Sequence, residues 1–329
     1  MNAPRELAAA VLAGDRLALA RAITLVESRR AADRPAAEAL LADLLPHTGR
    51  SIRIGITGAP GVGKSTLIER LGLDLCAKGH RTAVFAVDPS SMRSGGSILG
   101  DKTRMVELSR HPQAFVRPQP GGDTLGGVAA HTREALLVGE AAGFDVVLVE
   151  TIGTGQSETA VHGMVDAFLL LLSPAAGDEL QGIKRGVMEL ADLVLVHKAD
   201  GELATEAQRA AEQCRMGLHI LHGAGSQVPP VLVASSRTGM GISELWTALR
   251  AWIENERASG RFAARRSGQQ VAWLESALRE QLVAAFFATA GHAAALAEAR
   301  AEVQQGRLLP SAAARQLVAR TFVAPTTTP

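Results

Sequence analysis

Tyrosine is absent from this 329-residue chain, and aromatic residues of all kinds make up 3% of it. Binding of single-stranded nucleic acid relies on aromatic faces for base stacking, so that class of function is disfavoured. Charge of either sign is also missing in excess: 34 Lys and Arg stand against 33 Asp and Glu, a formal net charge of +1. Without a basic surplus there is no overall pull toward nucleic acid. The two cysteines, Cys76 and Cys214, stand far apart and make no disulfide framework; they read as small buried side chains in a reducing compartment. No apolar run reaches the roughly 18 residues that a membrane span requires. The first residues mix acids and bases into their apolar stretch, unlike a secretory signal. These absences together predict a cytoplasmic, soluble globular protein, with neither nucleic acid nor membrane as partner. The length suits one large domain with appendages, or two domains.

Apolar residues, by contrast, are plentiful at 47%, and their spacing divides the chain. Residues 1–48 keep apolar positions at helical intervals, with a break at Gly14-Asp15 and a further helix opened by Pro35. From Ser51 the pattern changes to short aliphatic runs, "SIRIGIT", "RTAVFAV", "FDVVLVE", "AFLLLLS", "LVLVHK" and "PPVLVAS", with helix-length segments between them. Nearly continuous hydrophobicity marks strands covered on both faces, which predicts a doubly wound α/β domain with a mostly parallel sheet over residues 49–260. After Gly260 the strand runs stop. Residues 261–329 read as a long amphipathic helix and two shorter ones near 293–305 and 311–321, an arm that can pack on the core or on a second copy of the chain. The basic run "RFAARR" at 261–266 reads as a solvated turn or a dimer contact rather than an anion site.

"GITGAPGVGKST" follows the first strand and satisfies the G-x-x-x-x-G-K-[ST] pattern with Gly58, Gly63, Lys64 and Ser65. Glycines allow successive backbone N–H groups to turn toward phosphates, and the helix start adds partial positive charge. Lys64 is placed for the β- and γ-phosphates and Ser65 for Mg²⁺. The cradle is Gly58, Ala59, Pro60, Gly61, Val62, Gly63, Lys64, Ser65 and Thr66. Glu150 ends another strand, in the crevice where ligands bind, and is placed to orient a Mg²⁺-bound or attacking water; a capping acid is the plain alternative. Asp88 ends the second strand and Asp101 follows in a glycine-rich segment, a candidate nucleotide-dependent switch beside the reading of an ordinary loop. Gln156 is a weaker candidate for positioning water.

The stretch "LVLVHKAD" raises the question of the base. Guanine presents N1–H and N2–H₂ donors on one edge, and the Asp200 carboxylate can accept both; adenine would leave it unmatched. The Lys198 stem can cover the base, and Ser235 and Ser236 in "VLVASSRTGMG" suit its O6 side. His197 stands where a guanine-reading loop carries asparagine. A neutral imidazole still offers one donor and one acceptor, so a reshaped secondary contact and a packed core histidine both remain open.

Taken together, "GITGAPGVGKSTLIERL", "VDPSSMRSGGSILGDKTRM", "TLGGVA", "VETIGTGQSE", "GDELQGIKRGVMELAD" and "RRSGQQVAWLESAL" resemble the MeaB/ArgK family, the P-loop GTPases associated with methylmalonyl-CoA mutase. The resemblance implies a GTP-hydrolysing chaperone that protects, loads and reactivates an adenosylcobalamin-dependent acyl-CoA mutase. It implies homodimerisation through the C-terminal helices, GTP and GDP as substrate and product, and no cobalamin bound directly. It places Ser65, Asp88, Asp101 and Glu150 around Mg²⁺ and its waters, with Lys64, Glu150 and Asp101 as the catalytic set. The segment 177–186, with Asp178, Glu179, Gln181 and Lys184, matches a switch that couples nucleotide state to the mutase. Departures are His197 in place of asparagine, Gly121, Gly122 and Asp123 in a usually serine-rich stretch, and Ala176. They leave open a subtype serving an isobutyryl-, 2-hydroxyisobutyryl- or ethylmalonyl-CoA mutase. Rival readings are a nickel-type metal-insertion GTPase, for which only His219 and His222 offer neighbouring ligands, a transport-linked ATPase or kinase, which Asp200 argues against, and a non-hydrolysing scaffold.

Overall fold

The computed structural model describes residues 3–87, 105–119, 125–151, 158–174, 185–223 and 228–322. Contacts divide the chain into two compact units, Met1–Gln269 and Gln270–Pro329.

The first unit is built on a seven-stranded sheet in the order β3-β2-β4-β1-β5-β6-β7, with every pairing parallel. The strands are β1 (Ile52–Gly58), β2 (Thr82–Val87), β3 (Ala114–Gln119), β4 (Val146–Thr151), β5 (Ala167–Leu172), β6 (Leu193–Val196) and β7 (Val231–Val233). Every residue of β4, β5 and β6 is buried, as the unbroken aliphatic runs predict for strands with helices on both faces. The predicted parallel α/β fold is therefore present, wholly parallel among the described strands. One strand escaped the sequence pattern. β3 reads "AFVRPQ", with a charge and a proline; Pro118 has no amide to donate, and the strand's place at the sheet edge accommodates that loss.

Helices α1 (Ala3–Leu12), α2 (Arg16–Val26) and α3 (Arg34–Leu44) form the N-terminal layer. The Asp15 side chain caps α2 by accepting from the Leu17 and Ala18 amides, which explains the break before it. These helices pack with α6 (Leu125–Ala141) over one face of the sheet, around Ile23, Leu40, Phe85, Leu136 and Phe168. On the other face, α4 (Lys64–Ala77), α5 (Val106–Arg110) and α10 (Ile242–Ala258) cover a second core containing Ile54, Leu67, Leu148, Leu169 and Trp246. Short helices α7 (Glu158–His162) and α8 (Arg185–Leu190) precede β5 and β6, and α9 (Ala204–His222) precedes β7. Cys76 and Cys214 are buried and unpaired as expected, and burial pushes the Cys214 thiol up to about 11.

The run at 261–266 corrects the expectation of a solvated turn. It forms the opening turns of helix α11 (Arg261–Ala288) and bonds to the strand entrances. Arg265 makes a two-pronged pair with Asp192, both contacts at 2.8 Å. Arg266 reaches Asp166 through two contacts of 2.6 and 2.7 Å and also donates to the Gly49 and Ser51 carbonyls. Beside them Arg53 and the Ser51 hydroxyl bond the buried Glu140 carboxylate. Burial alone would raise that acid, but Arg53, Ser51 and the Gly49 amide outweigh burial and hold it below the usual carboxylate range.

The second unit continues α11 and adds α12 (His292–Gln304) and α13 (Pro310–Phe322), which pack on each other. Within it Val271, Leu274, Leu278, Leu282, Val283 and Phe287 of α11 are exposed. Among the described residues no single helix is long and apolar enough to cross a membrane.

Candidate nucleotide site

β1 lies at the centre of the sheet, and the chain leaves its carboxyl end directly into the phosphate loop before α4 begins at Lys64. Three glycines make that path possible. Gly58, Gly61 and Gly63 have φ of 148°, 80° and 103°, a region that side-chain-bearing residues rarely enter. At Gly58 a Cβ would also lie 2.5 Å from the Leu171 carbonyl oxygen, and at Gly63 2.6 Å from His197 Nδ1. Glycine here is needed for space as well as for conformation. The buried Lys64 ammonium donates to the Gly58 carbonyl at 2.8 Å and the Ala59 carbonyl at 3.1 Å, so the loop wraps its own lysine.

One residue on, the Ser65 hydroxyl donates to Glu150 Oε1 at 2.8 Å. Glu150 is buried near the end of β4, paired in register with Ile56 of β1. Hydroxyl and carboxylate oxygens are hard ligands, so this pair fits a Mg²⁺ ion. Below them the Thr151 hydroxyl donates to that of Thr57 at 2.8 Å, a buried bridge between the two central strands that sequence reading did not single out. Asp88, Asp101, Gln156, Asp178, Glu179, Gln181 and Lys184 lie outside the described residues, as do Gly121, Gly122, Asp123 and Ala176.

The end of β6 supplies the other half of the site. The fully buried strand runs into His197, whose amide donates to the Leu172 carbonyl of β5. His197 is 2% exposed. Its Nδ1 lies 3.0 Å from the Val62 carbonyl of the phosphate loop, and its Nε2 lies 2.7 Å from the Ser236 hydroxyl. A carbonyl only accepts, so Nδ1 carries the proton and Nε2 accepts from Ser236. Burial is the main cause that holds this imidazole below the usual histidine range; Lys198 adds to it, and the Val62 bond and Asp200 oppose it. Among the described residues Lys198 is the non-glycine residue with positive φ, 61°, and its ammonium donates to the Gly61 carbonyl at 2.7 Å. Ser235 donates to Asp200 Oδ1 at 2.6 Å, and exposed Arg237 stands 3.8 Å from Oδ2. Both serine hydroxyls are thus engaged by the 197–200 segment. Arg237 was not anticipated, although it directly follows the serine pair in the sequence. The segment 197–200 ties the phosphate loop on one side to the 235–237 loop on the other.

His219 and His222 stand in the last turns of α9, away from these loops in sequence; the His222 Nε2 is buried without a hydrogen-bond partner among the described residues.

Comparison with known proteins gives this geometry a family. The profile described as "Methylmalonyl Co-A mutase-associated GTPase MeaB" matches residues 19–291. A putative GTPase of Caulobacter vibrioides is 56% identical over 310 residues, covering 94% of this chain and 95% of the relative. The mouse mitochondrial methylmalonic aciduria type A homolog is 47% identical over 83% of this chain and 68% of its own length. Among solved structures, a protein described as an LAO/AO transport system kinase superposes with a TM-score of 0.76 at 36% identity, covering 97% of this chain and 98% of that one. The chain belongs to the MeaB family of P-loop GTPases, and it is a GTPase.

Proposed function

We propose that this GTPase is a chaperone of an adenosylcobalamin-dependent acyl-CoA mutase, coupling GTP hydrolysis to protection, loading and reactivation of that partner. The family description and the name of the mouse relative support a mutase-associated role. Methylmalonyl-CoA mutase is the first candidate; mutases acting on isobutyryl-, 2-hydroxyisobutyryl- or ethylmalonyl-CoA are the others. The reading of the site rests above all on one observation: the Ser65–Glu150 contact brings the phosphate-loop hydroxyl and a strand-end acid together beside Lys64. In this reading Gly58 to Thr66 cradle the phosphates, Lys64 neutralises the β- and γ-phosphates, and Asp200 reads guanine. Ser65 and Glu150, with Asp88 and Asp101, would hold Mg²⁺. When bound, the ion neutralises charge developing on the phosphate oxygens. Asp178, Glu179, Gln181 and Lys184 present a different surface to the mutase in each nucleotide state.

The protein acts as a cytoplasmic homodimer that does not itself bind cobalamin. The apolar row Val271, Leu274, Leu278, Leu282 on α11 supports pairing of two copies through the C-terminal helices, because such a row is stabilised by an apolar partner. The test is GTP hydrolysis with and without a purified adenosylcobalamin-dependent acyl-CoA mutase. Stimulation of the wild type, lost in a Asp178→Ala/Lys184→Ala double variant that still binds GTP, is the expected result. A rate that none of the four mutases changes would overturn the partner assignment.

A further inference from the structure

The site places an imidazole between the phosphate loop and the 235–237 loop that follows β7. His197 joins Val62, 135 residues away in the chain, to Ser236, 39 residues away. Both bonds exist in one protonation state and one tautomer. With Nδ1–H directed at a carbonyl, Nε2 must be an unprotonated acceptor facing the Ser236 hydroxyl at 2.7 Å and the Ser236 amide at 3.4 Å. A second ring proton would point a donor at two groups that already donate. The hydroxyl can rotate to accept, but the amide cannot. The ring has no room to withdraw, since it is 2% exposed and packed against the Cα of Gly63, where even a Cβ would collide.

We propose that His197 is a positioning residue whose neutral imidazole locks the phosphate loop to the 235–237 loop, making nucleotide affinity sensitive to a single proton. This inference rests on the reading of Gly58–Thr66 as the phosphate cradle and of 197–200 with 235–237 as the base site. Neutral His197 holds Val62 and Gly63 where the cradle needs them; protonated His197 turns a donor on the Ser236 amide, which cannot accept, and the brace between the loops is weakened. The charged side chains on the three packed segments are Lys64 on the phosphate side, Arg237 beyond Ser236, and Lys198 and Asp200 on its own loop. Of these side-chain types histidine is the one that changes charge between about pH 5.5 and 8. An asparagine at this position can donate to Val62 from its amide and accept from Ser236 through its carbonyl, without titrating.

The experiment compares GDP affinity of the full-length wild type, His197→Asn and His197→Ala, by calorimetry at steps between about pH 8 and about pH 5.5. At the upper end, His197→Ala is expected to bind GDP about tenfold more weakly, on the scale of one lost buried hydrogen bond, with His197→Asn restoring most of that loss. Toward the lower end the wild type is expected to lose at least about twofold relative to His197→Asn, with the loss still growing as the pH falls, because burial holds the imidazole below the usual histidine range. Titration of the GDP phosphate is common to both proteins and cancels in that ratio. A wild-type to His197→Asn ratio that stays constant across the range overturns the proposal whatever the alanine variant does. Equal affinities of the wild type for GDP and ADP would instead remove the guanine assignment of Asp200 and leave the pH ratio as an independent readout.

Discussion

Asp200 is the residue on which base selection turns in the proposed function, and its surroundings define a clean substitution. One carboxylate oxygen accepts from the Ser235 hydroxyl at 2.6 Å, which orients the side chain. In Asp200→Asn the amide oxygen can keep that bond while the NH₂ group faces the guanine donors and repels them. The expected outcome is an intact fold with the preference for GDP over ADP erased, a change on the order of 10² to 10⁴ in the ratio of dissociation constants. Retention of the wild-type ratio would show that the acid serves only Ser235. The places of Lys64 in the phosphate loop and of Asp200 after β6 were legible because each belongs to a short contiguous motif. The engagement of Ser235 and Ser236 was not, because the hydroxyls turn to partners 35 and 39 residues away in the chain.

Elements are held at the opposite end of the sheet by ion pairs that the sequence hid among ordinary surface charges. The opening turns of α11 bring Arg265 and Arg266 to Asp192 and Asp166, 73 and 100 residues distant. The Asp166 side chain is 1% exposed. Removing Arg266 would leave this buried acid with the Arg53 amide as its remaining donor on β1, and two strand-entrance carbonyls without theirs. Arg266→Ala is therefore expected to lower stability by about 3 kcal/mol, read as a fall in the urea midpoint. GDP affinity should be retained, since the clamp sits at strand entrances and the phosphate loop at the exit of β1. A midpoint within error of the wild type would mean that water replaces the guanidinium at no loss. β3 was missed at this same scale: a strand carrying Arg117 and Pro118 breaks the aliphatic pattern, and only pairing with β2 at the edge makes it a strand.

For the whole molecule, the exposed apolar face of α11 bears on assembly. Leu274 and Leu278 are 69% and 56% exposed on successive turns. In the proposed homodimer a charge at both places would be buried without a partner. Leu274→Glu with Leu278→Glu is expected to shift the protein from dimer to monomer in light scattering, with nucleotide binding intact. A monomeric wild type, or a variant that remains dimeric, would overturn pairing through this face.

The sequence by itself determined the parallel α/β class, because strands buried on both faces must be apolar at every position. It also determined the phosphate loop, whose chemistry lies in backbone N–H groups and in glycines adjacent along the chain. The tertiary structure alone decided what His197 does, which carboxylates hold Arg265 and Arg266, and where β3 pairs. The physical reason is shared by the two side-chain cases. A polar side chain is committed to a role by the partner that satisfies its donors and acceptors once water is excluded. Here those partners lie tens of residues away, brought close only when β1, β5, β6 and β7 align.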